Sequence, residues 1–298
     1  MSSDSNSPLF WCDGVAQILD QATLPLHHPA VLYGESAFET FRVIDETPLY
    51  LNAHLKRLYE TVAGLGLGDL PRICDVEGEV REALGTLPKV DHGWRIRMTL
   101  VSDRVSLMGL NGGDAPIQRW LMAVPLPDPV ELSQPLRVCF STYRKIPPSS
   151  LSPALKHGNY LSSLLSLREA QKNGYDDAIL LTESGVVTEA TASNLYWIKN
   201  KQLLTCASEL VFPGLTRRRV QEYARENGMT VAEGYFSAED LLNADEVFVT
   251  SSIRGVVPLV AVEQTPFDGG DPDSISRKIA SGLRDMDLQE VARRGEAS

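Results

Sequence analysis

Early in the chain, apolar and polar residues alternate more often than they recur at helical spacing. "GWRIRMTLVS" and "QRWLMAVPL" step with a period of two, the pattern of strands with one buried face, and the two runs are expected to pair. "AVLYGESAFETFRVID" reads as a turn and short helix followed by a strand, and "TPLYLNAHLKRLYETVAGLGL" as a hairpin leading into a helix with Asn52 as its N-cap. Next, "PLPDPVELSQPL" places four prolines in twelve residues, which predicts a domain boundary. Beyond it the pattern changes. "LRVCFSTYRKI" is a strand, and 157–173 is a helix closing near Asn173-Gly174. "DDAILLT", "NLYWIKN" and "QLLTCA" are short strands divided by "ESG" and "KNK" turns. "LTRRRVQEYARENG" is a helix ended by Gly228, "EVFVTSS" and "VVPLVAV" are strands, and the tail from Asp273 to Arg294 is helical. No regular βαβ repeat emerges, so the fold class is α+β. The expected division is a small N-terminal domain over 1–125, a linker over 126–136 and a larger domain over 137–298.

A chain of 298 residues is consistent with two such domains, and 43% hydrophobic with 22% charged residues describes an ordinary globular protein. The 28 basic and 39 acidic residues give a net charge of −11, which argues against nonspecific binding to nucleic acid or anionic membrane but leaves room for a local basic pocket. Cys12, Cys74, Cys139 and Cys206 form no CxxC pair, and the five histidines show no metal-ligand spacing, so neither a disulfide framework nor a metal site is expected. No apolar run approaches the roughly 20 residues that span a bilayer. "MSSDSNSPLF" lacks the basic and apolar regions of a secretory signal, so a cytoplasmic location is expected. "GLGLG" at 64–68 follows a helical pattern rather than a strand, which removes the dinucleotide fingerprint. An SxxK nucleophile is excluded by Pro153, with Ser152 one place out of register.

What remains is Lys156, in "ALKHGNYLSSLL", at the mouth of the expected helix, where the macrodipole disfavours a cation. Alone it reads as a lysine snorkelling to solvent. Three other segments change that reading. Glu189 lies in "GVVTEATASNLYWI". Pro213-Gly214 leads into a helix whose first turn holds Leu215 and Thr216. Ser251 and Ser252 end a strand before Ile253-Arg254-Gly255. Helix N-termini and hydroxyl-rich turns are anion sites by backbone geometry. Two such sites with a lysine and an acid suggest a phosphorylated cofactor that needs an amine.

From "LYGESAFETFRV" through "HLKRL", "LKHGNY", "TEATASNLYWI" and "PGLTR" to "ADEVFVTSSIRGVVP", the chain resembles the fold type IV pyridoxal-phosphate enzymes. These include branched-chain and D-amino-acid aminotransferases and 4-amino-4-deoxychorismate lyase. The resemblance implies a two-domain fold, with a small N-terminal α/β domain and a larger C-terminal domain built on a β-barrel-like core. It also implies pyridoxal 5'-phosphate, a homodimer, and a small substrate carrying an amine and a carboxylate. Lys156 resembles the Schiff-base lysine and proton shuttle, and Glu189 the acid paired with the pyridine nitrogen. Arg57 resembles the phosphate-binding arginine. Tyr160 matches a tyrosine near the ring's phenolic oxygen, and Leu215, Thr216, Ser251 and Ser252 match phosphate contacts. Tyr33, Phe38, Arg42, Arg97, Ile253 and Arg254 would line the substrate pocket. One departure stands out: branched-chain enzymes carry Lys-x-x-Gly-Asn-Tyr, whereas Lys156 to Tyr160 is one residue shorter, closer to the lyase and D-amino-acid branches.

The branches share the removal of a proton next to nitrogen. "SSIRGVVP", "FETFRVID" and "TASNLYW" resemble the lyase, and Arg42, Arg97 and Arg254 suit a dicarboxylate. The first expectation is therefore conversion of aminodeoxychorismate to 4-aminobenzoate and pyruvate. The alternative is an amino-acid aminotransferase, supported by Arg97 in "RIRMTL" and by "GNYLSSLL". A non-catalytic paralogue ranks last, because Lys156, Glu189 and Arg57 are all present.

Overall fold

A computed structural model describes residues 8–18, 22–102, 116–269 and 271–295. The chain forms two compact units. One comprises residues 1–129, 155–159 and 291–298, and the other residues 130–154 and 160–290. The division falls at Pro129/Val130, inside a proline-rich stretch that also forms a one-turn helix. Leu155–Asn159 groups with the first unit, although its place in the sequence lies within 137–298.

The first unit is built on a six-stranded antiparallel sheet. Its strands are β1 (Leu9–Cys12), β2 (Val15–Gln17), β3 (Ser36–Ile44), β4 (Thr47–Pro48), β5 (Trp94–Ser102) and β6 (Ile117–Pro125), in the order β2-β1-β6-β5-β3-β4. β5 and β6 pair along their whole length, from Trp94 with Pro125 to Ser102 with Ile117. Trp94, Ile96, Met98 and Leu100 share one face of β5 and are buried, while Arg95, Arg97 and Thr99 share the other. The apolar face is covered by α2 (Leu51–Leu65) and α3 (Ile73–Gly85), with α1 (Pro29–Leu32) preceding β3. Leu51, Leu55, Leu58 and Val62 recur at helical spacing on the buried side of α2.

Asn52 is not the cap of α2. Tyr50 takes that position in the left-handed region at φ 55°, and Asn52 lies in the first turn, where its amide, oriented to donate, meets the Glu77 carboxylate. The "GLGLG" segment closes the helix instead of binding a nucleotide: Gly66 is its C-cap at φ 63°.

The second unit holds a nine-stranded mixed sheet. In chain order it contains α4 (Pro129–Leu132, whose first residue belongs to the other unit), β7 (Leu136–Arg144), α5 (Leu161–Lys172), β8 (Asp177–Leu181), β9 (Val187–Ala190), β10 (Asn194–Lys199) and β11 (Gln202–Cys206). These are followed by α6 (Leu215–Glu226), β12 (Val231–Gly234), α7 (Ala238–Leu242), β13 (Glu246–Ser251), β14 (Gly255–Val262), β15 (Thr265–Pro266) and α8 (Ile275–Gly295, whose residues from Val291 belong to the other unit). The strand order is β12-β11-β10-β13-β14-β7-β8-β9, with β15 on β14. β10 and β13 are apolar on both faces. Leu195, Trp197, Val247 and Val249 enter one core, and Tyr196, Ile198 and Phe248 enter another with Val220 and Ala224 of α6 and Ile279 and Leu283 of α8.

The helix expected over 157–173 begins only at Leu161, so Lys156 is not in its first turn. Its C-terminus follows the pattern, with Asn173 as cap and Gly174 at φ 81°.

Candidate active site

In the first unit, residues 156–158 lie along the edge of β3, joined to it by an isolated antiparallel bridge at His157. The Phe38 amide donates to the Lys156 carbonyl and the Gly158 amide to that of Ser36, both at 2.9 Å, flanking a bridge between Ala37 and His157. Close approach requires the glycine: a Cβ on Gly158 would lie 2.3 Å from Ser36 Oγ and 2.9 Å from the Gly34 carbonyl. "YGES" and "KHGNY", distant in sequence, interlock for that reason. A helix could not offer these backbone groups to a strand edge, so the lysine is presented by an extended loop segment bridged to β3.

Side chains from β3, β5 and α2 gather around it. Lys156 Nζ lies 4.6 Å from the centre of the Phe38 ring, and Arg97 Cζ lies 3.7 Å from it. Arg97 Nε also donates to Thr99 Oγ1 at 3.2 Å. Thr61 of α2 accepts the Lys156 amide proton at 3.3 Å and donates to the Arg57 carbonyl at 3.0 Å. One turn before Thr61, Arg57 forks onto Glu39, with Nε to Oε1 at 2.6 Å and Nη2 to Oε2 at 2.9 Å. His54 Nδ1 meets Glu39 Oε2 at 2.8 Å. All three are buried: Glu39 is 1% exposed, His54 3% and Arg57 7%. Burial alone would raise the Glu39 pKa, but the bonds from His54 and Arg57 outweigh it and hold the carboxyl at about 2. Burial lowers the His54 pKa against the pull of Glu39, and the Arg57 and Lys156 charges add to the lowering, so a neutral imidazole donates through Nδ1.

In the second unit an acid collects donors. Glu189, on β9, is 6% exposed. Lys145 Nζ lies 2.5 Å from its Oε1, Asn194 Nδ2 donates to Oε2 at 2.9 Å, and the Phe212 amide donates to the carboxylate at 3.1 Å. Asn194 Nδ2 also donates to the Phe212 carbonyl at 2.8 Å, fixing the approach to α6. A Cβ on Gly214 would meet Asn194 Oδ1 at 2.2 Å, so only glycine permits this contact. Gly214 is the N-cap of α6 and no side chain caps the helix, so its first amides are oriented for an anion. Leu215 and the buried Thr216 form that first turn. The β10–β13 register sets Thr250 opposite Asn194, so the turn 251–255 leaves β13 at the same end of the sheet. Within it the Arg254 amide donates to Ser251 Oγ at 3.2 Å, and Gly255 takes φ 67°.

A family model described as amino-transferase class IV matches residues 36–262. The chain belongs to this family. It is a pyridoxal-phosphate-dependent enzyme of the aminotransferase and lyase group. It is 31% identical to a putative branched-chain-amino-acid aminotransferase of Methanocaldococcus jannaschii over 86% of this chain and 88% of that one. It is 28% identical to an aminodeoxychorismate lyase of Bacillus subtilis over 86% and 87%. Among solved structures, a branched-chain aminotransferase from Thermoproteus uzoniensis matches with a TM-score of 0.86 at 22% identity over 95% of both chains, which shows the fold.

The donor chemistry of the class IV chain fits the cofactor. Pyridoxal phosphate asks for an amine, an acceptor for its ring nitrogen and donors for a dianion. Taken unit by unit, the first holds an amine in Lys156 and a guanidinium in Arg57, and the second holds the thrice-donated Glu189 carboxylate, an uncapped α6 N-terminus and the hydroxyls of the 251–255 turn. Among the described residues no group of three His, Cys, Asp or Glu side chains could hold a metal, and no helix is long and apolar enough to cross a membrane.

The remaining expected residues are placed as follows. Phe38, Arg42 and Arg97 share one face of the six-stranded sheet, because Thr40 between them pairs with Arg97 and Arg42 pairs with Arg95. Tyr33 caps the C-terminus of α1 and is 42% exposed. Tyr160 is the N-cap residue of α5. Ser252 and Ile253 lie in the turn after β13. Arg254 is engaged elsewhere: Nε donates to the Leu132 carbonyl at 2.9 Å and Nη2 to that of Gln134 at 3.1 Å. Four residues escaped the sequence reading: Lys145, Asn194, Glu39 and His54. The "FET" and "HLKR" spacings contain the last two, but only the strand-to-helix crossing reveals that they meet.

Proposed function

We propose that this enzyme is an aminotransferase acting on α-amino acids with one carboxylate. The observation that carries this reading is Arg254. A dicarboxylate needs a second arginine fork, and the residue expected to provide it is held by backbone carbonyls at the end of the Pro129–Leu132 helix. Arg97 lies against Phe38 and shares its sheet face with Arg42, and in this reading Arg97 partners the single carboxylate.

In this reading Lys156 Nζ carries the cofactor and serves as the base at the substrate's α-carbon. The strand pairing and Thr61 fix its backbone, so that only the side chain moves. When bound, pyridoxal phosphate supplies an aldehyde for the amines and a ring that accepts the electron pair left at the α-carbon. Glu189 holds a proton at the ring nitrogen, and its three donors keep it an acceptor there. Arg57, Leu215, Thr216, Ser251 and Ser252 bind the phosphate, Tyr160 flanks the ring, and Tyr33, Phe38 and Ile253 shape the pocket. A homodimer accompanies this reading, with exposed Leu26, Val31 and Leu32 as apolar surface that a second copy would cover.

The lyase is the second reading, favoured by the similarity to the Bacillus subtilis enzyme. Two incubations of the cofactor-loaded protein separate them, one with branched-chain amino acids and pyruvate, a keto acid with one carboxylate, the other with aminodeoxychorismate alone. Keto-acid formation in the first supports the aminotransferase. Release of 4-aminobenzoate and pyruvate without an amino acceptor, and no turnover in the first, would replace it with the lyase.

A further inference from the structure

We propose that Glu39 and His54 are positioning residues for the cofactor phosphate, acting through Arg57; this rests on the reading that Arg57 binds that phosphate. Glu39 stands on the apolar face of β3, between Ala37 and Phe41, which both belong to the hydrophobic core. A carboxylate there is a costly choice for the fold, since an apolar side chain would fill the same place without desolvating a charge. Its bonds say what it does. A guanidinium has two forked edges, and Glu39 takes the one formed by Nε and Nη2, at 2.6 and 2.9 Å. The guanidinium plane is thereby fixed, and a phosphate engages Arg57 through the other edge.

His54 completes the clamp. It lies one turn before Arg57 on the same face of α2, and its Nδ1 meets the carboxylate oxygen that also accepts from Nη2. Both glutamate oxygens are thus pinned from one helix. Thr61, one turn further on, binds the Arg57 carbonyl and the Lys156 amide, so the phosphate arginine and the reactive lysine share a frame. An arginine fixed beforehand loses less side-chain freedom when its ligand arrives. Burial disfavours a charge on His54, so it meets Glu39 through Nδ1 without adding a competing cation.

The test compares pyridoxal phosphate with pyridoxal, which lacks the phosphate. Dissociation constants of the full-length protein are read from the visible band of the bound aldehyde. Wild type favours the phosphorylated form. Glu39→Gln is expected to cut that preference by about tenfold, while pyridoxal affinity stays within about twofold. His54→Leu should cut it by roughly threefold, and His54→Asn, which keeps a donor near the Nδ1 position, should restore it. Equal weakening for both ligands, or an unchanged preference, in Glu39→Gln would overturn the proposal. If that variant does not fold, the two His54 variants decide it in the same way. Arg57→Ala is the control: if it leaves the preference intact, the phosphate reading of Arg57 itself fails, whatever Glu39 does.

Discussion

Glu39 in the first unit and Glu189 in the second are both buried, and each meets one cation and further donors, yet their neighbours give them different tasks. Glu39 is gripped mainly from one helix, with His54 and Arg57 a turn apart and the Thr40 amide of its own strand at 3.3 Å, and lies on a core-facing strand position. Glu189 is approached from three separate elements: Lys145 just beyond β7, Asn194 at the start of β10, and the Phe212 amide ahead of α6. In the proposed reading the first acid is the fixture and the arginine the working group, and in the second the acid is the working group and the groups around it the fixture. A buried carboxylate therefore does not declare its role by burial or charge pairing; the origin of its donors does.

This contrast can be broken by substitution. Glu39→Gln leaves Arg57 without its counter-charge in a dry place, and a stability loss of about 3–5 kcal/mol is expected in urea unfolding. Should the loss be negligible, Glu39 is no fixture and the contrast disappears. Glu189→Gln keeps the shape but replaces the acceptor at the ring nitrogen. Turnover should fall by about 10²–10³-fold, with cofactor affinity changing much less. If affinity collapses instead while turnover of the bound fraction is normal, Glu189 is a fixture too.

Acid sharpens the comparison. Burial holds His54 below its ordinary value of 6.5, so the unfolded chain takes up that proton first and stability falls as the pH drops through 6.5. The Glu39 carboxyl, held at about 2 against an ordinary 4.5, contributes stability that is complete above 4.5 and is lost as the pH falls through about 2. His54→Asn should flatten the loss between pH 7 and 5 in chemical unfolding curves. An unchanged slope would mean that other groups cause it. The smallest effect is expected at Arg254. Arg254→Ala removes two bonds to carbonyls, so a destabilisation of about 1–2 kcal/mol should accompany an unaltered KM for the amino acid. A large rise in KM would return this arginine to the substrate pocket.

What the sequence disclosed was local. Gly214 before α6 and the turn after Ser251 are legible because helix starts and strand ends leave a mark in neighbouring residues. The β5–β6 pairing was legible from alternation alone. The late start of α5 was not, since "KHGNY" continues the apolar spacing of the helix while its glycine serves a strand edge. Asn52 looked like a cap because its residue type fits, but Tyr50 adopts the left-handed turn that begins α2. Lys145 and Glu189 stand 44 residues apart and meet through the parallel pairing of β7 with β8 and the return along β9. No spacing rule announces such a contact. Arg254 adds a contact that its motif does not announce: its Nε and Nη2 donate to the Leu132 and Gln134 carbonyls.

Two lysines now have a claim on the cofactor, Lys156 at the edge of β3 and Lys145 on Glu189. Borohydride reduction of the pyridoxal-phosphate-loaded protein, followed by tryptic mass mapping, distinguishes them directly, because trypsin does not cut after a modified lysine. Label on Lys156 gives a peptide from Ile146 to Arg168, and label on Lys145 one from Lys145 to Lys156. The account predicts a phosphopyridoxyl group on Lys156 and none on Lys145. Label on Lys145 with an unmodified Lys156 would contradict it.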